Sequence, residues 1–132
     1  METVKKVLLG CIILLLTSCS SIKTFPVSNT APAAEITAKI KQDKNKNYFI
    51  EIKAKNLASS DRLSPSKNNY SVWLVTKKNG IKNMGQLIIE NAKTSKLKTT
   101  TPFQVVEIFI TAEDQGNLSQ PNGIEITRTN VE

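Results

Sequence analysis

The chain contains no histidine and only two cysteines in 132 residues. Without histidine, Ser-His-Asp triads, histidine metal ligands and the commonest general base are excluded. Both cysteines, Cys11 and Cys19, lie in or just after an apolar run near the N-terminus. The rest of the chain therefore offers neither a disulfide nor a thiolate site. Aromatic residues are also scarce, at 5%. Because no disulfide is available, we expect the domain to be stabilised by packing of its core.

Two further catalytic arrangements are not supported by the sequence around the residues that would form them. The segment Ser64-Pro65-Ser66-Lys67 matches the Ser-x-x-Lys pattern, but a proline stands where the helix of that motif should begin, and no helical run follows. Acidic residues are spread along the chain rather than paired as in glycosidases. We therefore predict that the protein is not an enzyme and holds no metal or organic cofactor.

The N-terminal segment has the organisation of an export signal. Lys5 and Lys6 precede an apolar run over residues 7–16, which is too short to span a bilayer and ends in small residues. The tetrapeptide Leu16-Thr17-Ser18-Cys19 resembles the lipobox of bacterial lipoproteins. That resemblance implies that residues 1–18 are cleaved and that Cys19 carries a diacylglycerol and an N-acyl chain. The alternative is a conventional cleavage site near an ordinary Cys19.

The residues after Cys19 bear on location. In enterobacterial lipoproteins, an aspartate directly after the cysteine would resemble the signal for retention in the inner membrane, and this chain has Ser20 there. Some lipoproteins are displayed at the cell surface through an acidic run after the cysteine, and no such run follows Cys19. We expect a lipid-anchored protein of the outer membrane that faces the periplasm, with the membrane and an envelope protein as its partners. The net charge of the full chain is +7. We expect this charge either to lie on a solvated surface or to attract anionic lipids or acidic glycans, since export separates the protein from nucleic acid.

Residues 19–34 mix Ser, Thr, Ala and two prolines without a period, which predicts a flexible tether behind the lipidated cysteine. An alternative is that Phe25 and Val27 dock as a first edge strand. Residues 35–132 then form one domain of the usual size, roughly 100 residues.

The domain is predicted to be all-β. Ile36, Ala38 and Ile40 alternate with polar residues, and the same alternation continues after a polar turn at 42–47, which indicates a hairpin. Asn79-Gly80 predicts a second hairpin. We expect about seven strands and no helix in an Ig-like antiparallel β-sandwich, the strands lying at residues 35–41, 48–55, 70–76, 81–90, 91–101, 103–111 and 124–128. A bulge is expected at Gly85, and residues 91–101 should form an exposed edge strand.

A family resemblance covers residues 70–128. It rests on Tyr70-x-x-Trp73-Leu74, Gly80, Gly85-Gln86-Leu87, Phe103, Phe109-Ile110-Thr111-Ala112-Glu113 and Pro121-x-Gly123, which together resemble the extracytoplasmic domain of anti-sigma-K factors. The resemblance implies an Ig-like sandwich outside the cytoplasm with a sensing or docking role. In that family the domain follows a transmembrane helix and a sigma-binding domain, for which this sequence shows no pattern, so sequestration of a sigma factor is not implied.

Two loops are candidate binding surfaces. The first, residues 56–69, carries Asp61 and Arg62, and the second, residues 112–123, carries Glu113, Asp114 and Asn117. The first loop is equally well explained as a crossover between sheets. In the second, the oxygen-bearing side chains offer a weak calcium site or, by default, a capped turn. Tyr70, Trp73 and Phe109 are expected in the core, with Trp73 between the packed sheets.

Two functions fit these features. One is a lipid-anchored interaction or sensing module that presents loops or an edge strand to a partner. The other is a lipid-anchored protein, facing either the periplasm or the cell exterior, that binds a small ligand or glycan, for which exposed Phe49 or Tyr70 would stack on a ring. Burial of Tyr70 and Trp73 would favour the first function.

Overall fold

The computed structural model describes residues 20–132, so the predicted signal peptide and its residues Leu16, Thr17, Ser18 and Cys19 lie outside the described part of the chain. The described part contains nine strands and a 3₁₀ turn at Ser60–Arg62. The strands are β1 Ser20–Thr24, β2 Glu35–Gln42, β3 Tyr48–Lys55, β4 Asn69–Thr76, β5 Ile81–Gln86, β6 Ile88–Asn91, β7 Thr94–Thr101, β8 Val105–Glu113 and β9 Ile124–Asn130.

The strands form two antiparallel sheets. One has five strands in the order β1-β2-β3-β7-β6, and the other has four in the order β5-β4-β8-β9. The order β2-β3-β7-β6 corresponds to strands A, B, E and D of an immunoglobulin constant domain, and β4-β8-β9 corresponds to C, F and G. The predicted all-β, Ig-like sandwich is confirmed, with nine strands among residues 20–132 instead of about seven.

The inner faces of the sheets follow the alternation in the sequence. On β2 and β3, Ile36 lies opposite Ala54, and Ala38 lies opposite Ile52; all four are buried. Val72 and Leu74 on β4 pack against the same core. Because side chains on a strand alternate between faces, the outward positions of β2 and β3 carry mostly charged residues.

The two predicted hairpins are present. In the β2–β3 turn, the Asp43 carboxylate accepts hydrogen bonds from the backbone of Asn45 and Asn47, each at 2.9 Å. The residue with positive φ there is Lys46, at 63°. In the β4–β5 turn, Gly80 has a φ of 73°, which a glycine adopts without steric strain.

The prediction of a flexible tether over residues 19–34 is wrong for the described residues 20–34. β1 pairs with β2 along all five of its residues, from Ser20 with Lys41 to Thr24 with Thr37. Phe25 is buried, and its backbone N–H donates to the Ile36 carbonyl at 2.9 Å. The alternative prediction, that Phe25 and Val27 dock as a first edge strand, is closer to the structure, although Val27 is exposed. The composition of this segment gave the wrong prediction because β1 is held by hydrogen bonds to the backbone of β2. Composition does not show which backbone a segment pairs with.

Two strand predictions are corrected between residues 81 and 101. The segment 81–90 divides at Leu87 into β5 and β6, which belong to different sheets. The segment 91–101 contains β7, which lies between β3 and β6 and is not an edge. The edge is instead β6, because residues 88–91 cross to the five-stranded sheet and cover β7. The bulge at Gly85 is confirmed by a register shift opposite it, between Val72 and Trp73.

Trp73 is fully buried, as predicted, but not between the sheets. Its neighbours Val72 and Leu74 belong to the central core, so Trp73 lies on the outer face of the four-stranded sheet. There its ring stacks on Phe109, with centroids 6.1 Å apart. The Arg128 guanidinium covers Phe109 at 4.1 Å. β4 is apolar at consecutive positions, so alternation alone could not assign the tryptophan to a face.

The sandwich has two distinct ends. At the end that we call the Ser20 end, Ser20 pairs with Lys41, Tyr48 pairs with Thr101, and the Lys77 N–H donates to the Gln104 carbonyl at 2.9 Å. At the opposite end, the loop end, lie the residues that link β1 to β2, β3 to β4, β6 to β7 and β8 to β9. Within residues 20–132 the structure has no helix of the length and hydrophobicity needed to cross a bilayer.

Candidate functional site

The two predicted binding loops meet at the loop end. The Asn68 backbone N–H donates to the Glu113 carbonyl at 2.9 Å, and the Asn68 side-chain amide donates to the Asp114 carbonyl at 3.0 Å. Lys67 forms an ion pair with Asp114 at 3.3 Å. Because β4 pairs with β8, the loop that precedes β4 and the loop that follows β8 are brought side by side. The topology thus joins two segments that are separated by more than 40 positions in the sequence.

A cavity of about 420 Å³ lies between the first of these loops and the β6–β7 turn. The loop contributes Leu57, Ser59 and Arg62, and the opposite wall contains Ile89 and Lys93. The Asn56 N–H donates to the Lys93 carbonyl at 2.8 Å, which closes one side. The cavity therefore combines an apolar wall with cationic and hydroxyl groups.

Tyr70 fixes the floor of this cavity. Its hydroxyl donates to the Ala58 carbonyl at 2.6 Å, which ties the loop to β4. Burial, and to a lesser degree the negative charge of Asp61, raise the pKa of Tyr70 to about 12. The phenol therefore stays protonated, and stays a donor, well above neutral pH.

This shift gives a pH-dependent contribution to stability. In the unfolded chain the Tyr70 phenol loses its proton near its ordinary pKa of 10.0, whereas in the folded protein it does so near 12. The stabilising contribution is therefore present below pH 10 and is lost as the pH rises from about 10 to about 12. We expect the difference in unfolding free energy between wild type and Tyr70→Phe to shrink over that interval, as measured by urea denaturation at stepped pH.

The control for this measurement is an absorbance titration of tyrosinate in Tyr48→Phe, which removes the signal of the other tyrosine. A phenol that titrates near its ordinary value in the folded protein would contradict the buried hydrogen bond to Ala58.

Strand β6 forms the exposed side of the cavity. All four of its residues are exposed, and Ile88 and Ile89 expose 68% and 73% of their surface. β6 pairs with β7 on one side, and among residues 20–132 no strand pairs with it on the other. Sequence reasoning missed this feature because it placed residues 81–90 in one strand. The run Leu87-Ile88-Ile89 after Gly85 was the available signal, since three successive apolar residues cannot all face one core.

Beside β6 lies a second, open groove of about 690 Å³. Met84, Ile88 and Leu97 supply its apolar lining, and Asn117 and Leu118 of the second loop border it. The Asn83 amide donates to the Gly116 and Leu118 carbonyls, at 3.1 and 2.9 Å, and so holds that loop against β5. Of the predicted site residues, Asn117 is thus placed at the groove and Arg62 at the cavity.

Glu113 and Asp114, predicted together, have separate environments. Glu113 is buried, and its carboxylate accepts hydrogen bonds from the Thr111 hydroxyl at 2.5 Å and from the Asn122 backbone at 3.2 Å. Asp114 is exposed and faces Lys67. The two carboxylates therefore do not share a site, and residues 20–132 contain no group of three acidic or thiol ligands placed to hold a metal ion. The hydrogen bonds that Glu113 accepts within its own loop are those expected of a capped turn.

Compared with protein-family models, with curated proteins and with solved structures, the chain gives no match. The lipobox at Cys19 and the likeness of residues 70–128 to anti-sigma-K factors stay predictions from the sequence.

Proposed function

We propose that this protein is a non-enzymatic, lipid-anchored protein of the cell envelope that binds a protein partner at β6 and the loop end. The observation that carries the proposal is the pair Ile88 and Ile89, which lie exposed on a four-residue edge strand between a cavity and a groove. Anchoring through Cys19 comes from the lipobox, and the outer membrane and a periplasmic orientation are part of the same proposal.

An edge strand with apolar side chains is unusual in a free protein. Natural sheets protect their edges with charges, prolines or bulges, since an open edge pairs with other chains. On β6 the charged residue, Glu90, is engaged with Lys96 at 3.0 Å, while the two isoleucines stay exposed. We infer that the partner supplies an extended segment, which pairs with β6 through its backbone and places apolar side chains against Ile88 and Ile89.

Burial of the aromatic residues also supports an interaction module. Trp73 is fully buried, and Tyr70 is buried with its hydroxyl bonded to Ala58, so neither presents a face on which a sugar ring could stack. Phe49 is partly exposed, between Lys41 and Thr100 on the outer face of the five-stranded sheet. The alternative, a small-ligand or glycan-binding lipoprotein, would rest on Phe49 for ring stacking or on the cavity above Tyr70 for a small ligand.

The positions of the two ends are compatible with an anchor at Cys19. β1 begins at Ser20, one peptide bond from Cys19, and the loop end lies at the opposite end of the sheets. Strands of eight residues at about 3.3 Å per residue separate the ends by about 25 Å. A lipid on Cys19 would therefore leave β6, the cavity and the groove turned away from the bilayer.

The test uses a photo-crosslinking residue in place of Asn91, at the end of β6, in cells that express the full chain. We expect one discrete protein adduct. The adduct should disappear in Ile88→Lys/Ile89→Lys. Each buried isoleucine contributes about 1.5–3 kcal/mol, so the double change lowers affinity by roughly two to four orders of magnitude. Val27→Lys is the matched control, since Val27 is equally exposed, at 74%, but lies on the side of the molecule with β1 and β2.

Fractionation of the same cells tests the anchor. Wild type should sediment with membranes and be protected from external protease, while Cys19→Ala should be released. An adduct that persists in the lysine double variant would refute the binding surface, and a Cys19→Ala protein that stays on the membrane would refute the lipid anchor.

A further inference from the structure

The Ser20 end carries several exposed lysines that are separated in the sequence. Two turns lie there, residues 43–47 between β2 and β3 and residues 77–80 between β4 and β5, together with residues 102–104. The exposed lysines of this end come from both sheets: Lys41, Lys44, Lys46, Lys77 and Lys78. No run in the sequence is longer than two lysines, so this concentration of charge arises only from the fold.

The positive charge of this end is largely unbalanced. None of the five lysines belongs to an ion pair among residues 20–132. The acidic side chains nearest this end are Asp43, Glu107 and Glu132. The Asp43 carboxylate is engaged by the backbone of its own turn, and Glu107 forms an ion pair with Arg128 at 2.8 Å. Lys82 adds a further positive charge, with its ammonium 5.2 Å from the centre of the Phe103 ring.

The other lysine-rich surface has a different arrangement of charges. On the outer face of the five-stranded sheet, three lysines lie directly opposite glutamates, Lys55 opposite Glu35, and Lys39 and Lys98 on either side of Glu51. Lys53 is the exception, since it lies opposite Lys96. Alternating charges of this kind favour a solvated surface. The Ser20 end, in contrast, concentrates one sign of charge at the place where the chain leaves the domain toward Cys19.

We propose that the Ser20 end docks on the anionic headgroups of the bilayer that holds the anchor. The inference rests on the proposed lipid anchor, because a lipid on Cys19 would bring this end to the membrane surface. A flexible tether of 15 residues could have held the domain as far as roughly 50 Å away, but β1 is paired from Ser20 onward and leaves no such slack. Lysines held this close to anionic lipid are attracted to it, each by roughly five-fold in binding.

The test is lysine footprinting of the acylated protein in vesicles. Protein from the full expressed chain is placed in phosphatidylcholine vesicles with or without phosphatidylglycerol, acetylated briefly, and analysed by mass spectrometry. We expect Lys41, Lys44, Lys46, Lys77 and Lys78 to be modified several-fold more slowly in the anionic vesicles. The protection should vanish in high salt, since the Debye length falls from about 10 Å at 0.1 M to about 3 Å at 1 M.

Two variants with equal loss of charge test whether protection depends on the lysines of the Ser20 end or only on the total charge of the protein. Acetylation of Lys41 is measured in both. Lys44→Gln/Lys46→Gln/Lys77→Gln/Lys78→Gln should abolish protection of Lys41, whereas Lys39→Gln/Lys53→Gln/Lys55→Gln/Lys98→Gln should preserve it. Equal modification of Lys41 in neutral and anionic vesicles would overturn the docking surface, even with the acyl chains present.

The mass of the N-terminal peptide shows whether Cys19 is acylated, so it distinguishes a wrong docking surface from a wrong anchor. If Cys19 carries no acyl chains, the proposed anchor is wrong, and docking is then judged by flotation of the same protein with the two kinds of vesicle. Salt-sensitive flotation with anionic vesicles alone would support the lysine surface, and absence of flotation with either would overturn it.

Discussion

Trp73→Ala is expected to lower the unfolding free energy by about 3–5 kcal/mol, the usual range for a buried tryptophan. The side chain is fully buried on the outer face of the four-stranded sheet, where its ring stacks on Phe109. Its indole N–H donates to the Thr111 hydroxyl at 2.8 Å, and that hydroxyl donates to Glu113. Truncation therefore opens a cavity and also removes the first donor in a chain of buried hydrogen bonds. Since domains of this size are stable by about 5–15 kcal/mol, the variant should be close to unfolding at 37 °C.

Urea denaturation followed by far-ultraviolet circular dichroism measures the effect, since the variant lacks the only tryptophan of the chain. Trp73→Phe is the matched control. It retains a ring against Phe109 but loses the indole donor, so we expect an intermediate loss of about 1–3 kcal/mol. A loss below about 1 kcal/mol for Trp73→Ala would show that this outer cluster is not the packed unit described above.

Gly123→Ala should have the second largest effect, a loss of about 3 kcal/mol. A Cβ at this position would overlap the carbonyl oxygen of Ala112 and lie 2.9 Å from a carboxylate oxygen of Glu113. Ala112 pairs with Ile124 where β9 begins, so the clash involves backbone that cannot rotate away. Relief requires β9 to move from β8, which would also strain the hydrogen bond from Asn122 to Glu113.

Gly116→Ala is the control within the same loop. A Cβ there meets only the side chain of Gln86, which is exposed and can rotate, so we expect a change within about 0.5 kcal/mol. Limited proteolysis gives a second measurement: Gly123→Ala should become sensitive to cleavage within residues 114–123, and Gly116→Ala should not. Equal stability of the two variants would contradict the close packing of Gly123 on β8.

The parts of the fold that the sequence predicted are those governed by local rules. Alternation predicted β2 and β3, Asn79-Gly80 predicted a turn, and Gly85 predicted a bulge, because each depends on residues within a few positions. The assignment of segments to sheets failed at β6 and β7. A strand that switches sheets at Leu87 has the same local pattern as one long strand, and the difference lies only in which neighbour supplies the hydrogen bonds.

The candidate site divides in the same way. Composition pointed to the loops with Arg62 and Asn117, and both border the pockets at the loop end. Glu113 carried the same signal but is a buried support for its own loop. Polarity marks a loop residue without saying whether its side chain faces solvent or the backbone of the turn.

By itself, the sequence determined which side chains are available, with no histidine and no cysteine after Cys19, and it predicted an all-β fold. The predicted lipobox is the basis of the proposed anchor. Only the tertiary structure decided what lies together. It paired residues 20–24 with β2, turned Trp73 outward, exposed Ile88 and Ile89, and gathered five separated lysines at the Ser20 end. The physical reason is that strand pairing joins segments that are distant in sequence through backbone groups that every residue carries, so side-chain patterns report strands but not their neighbours.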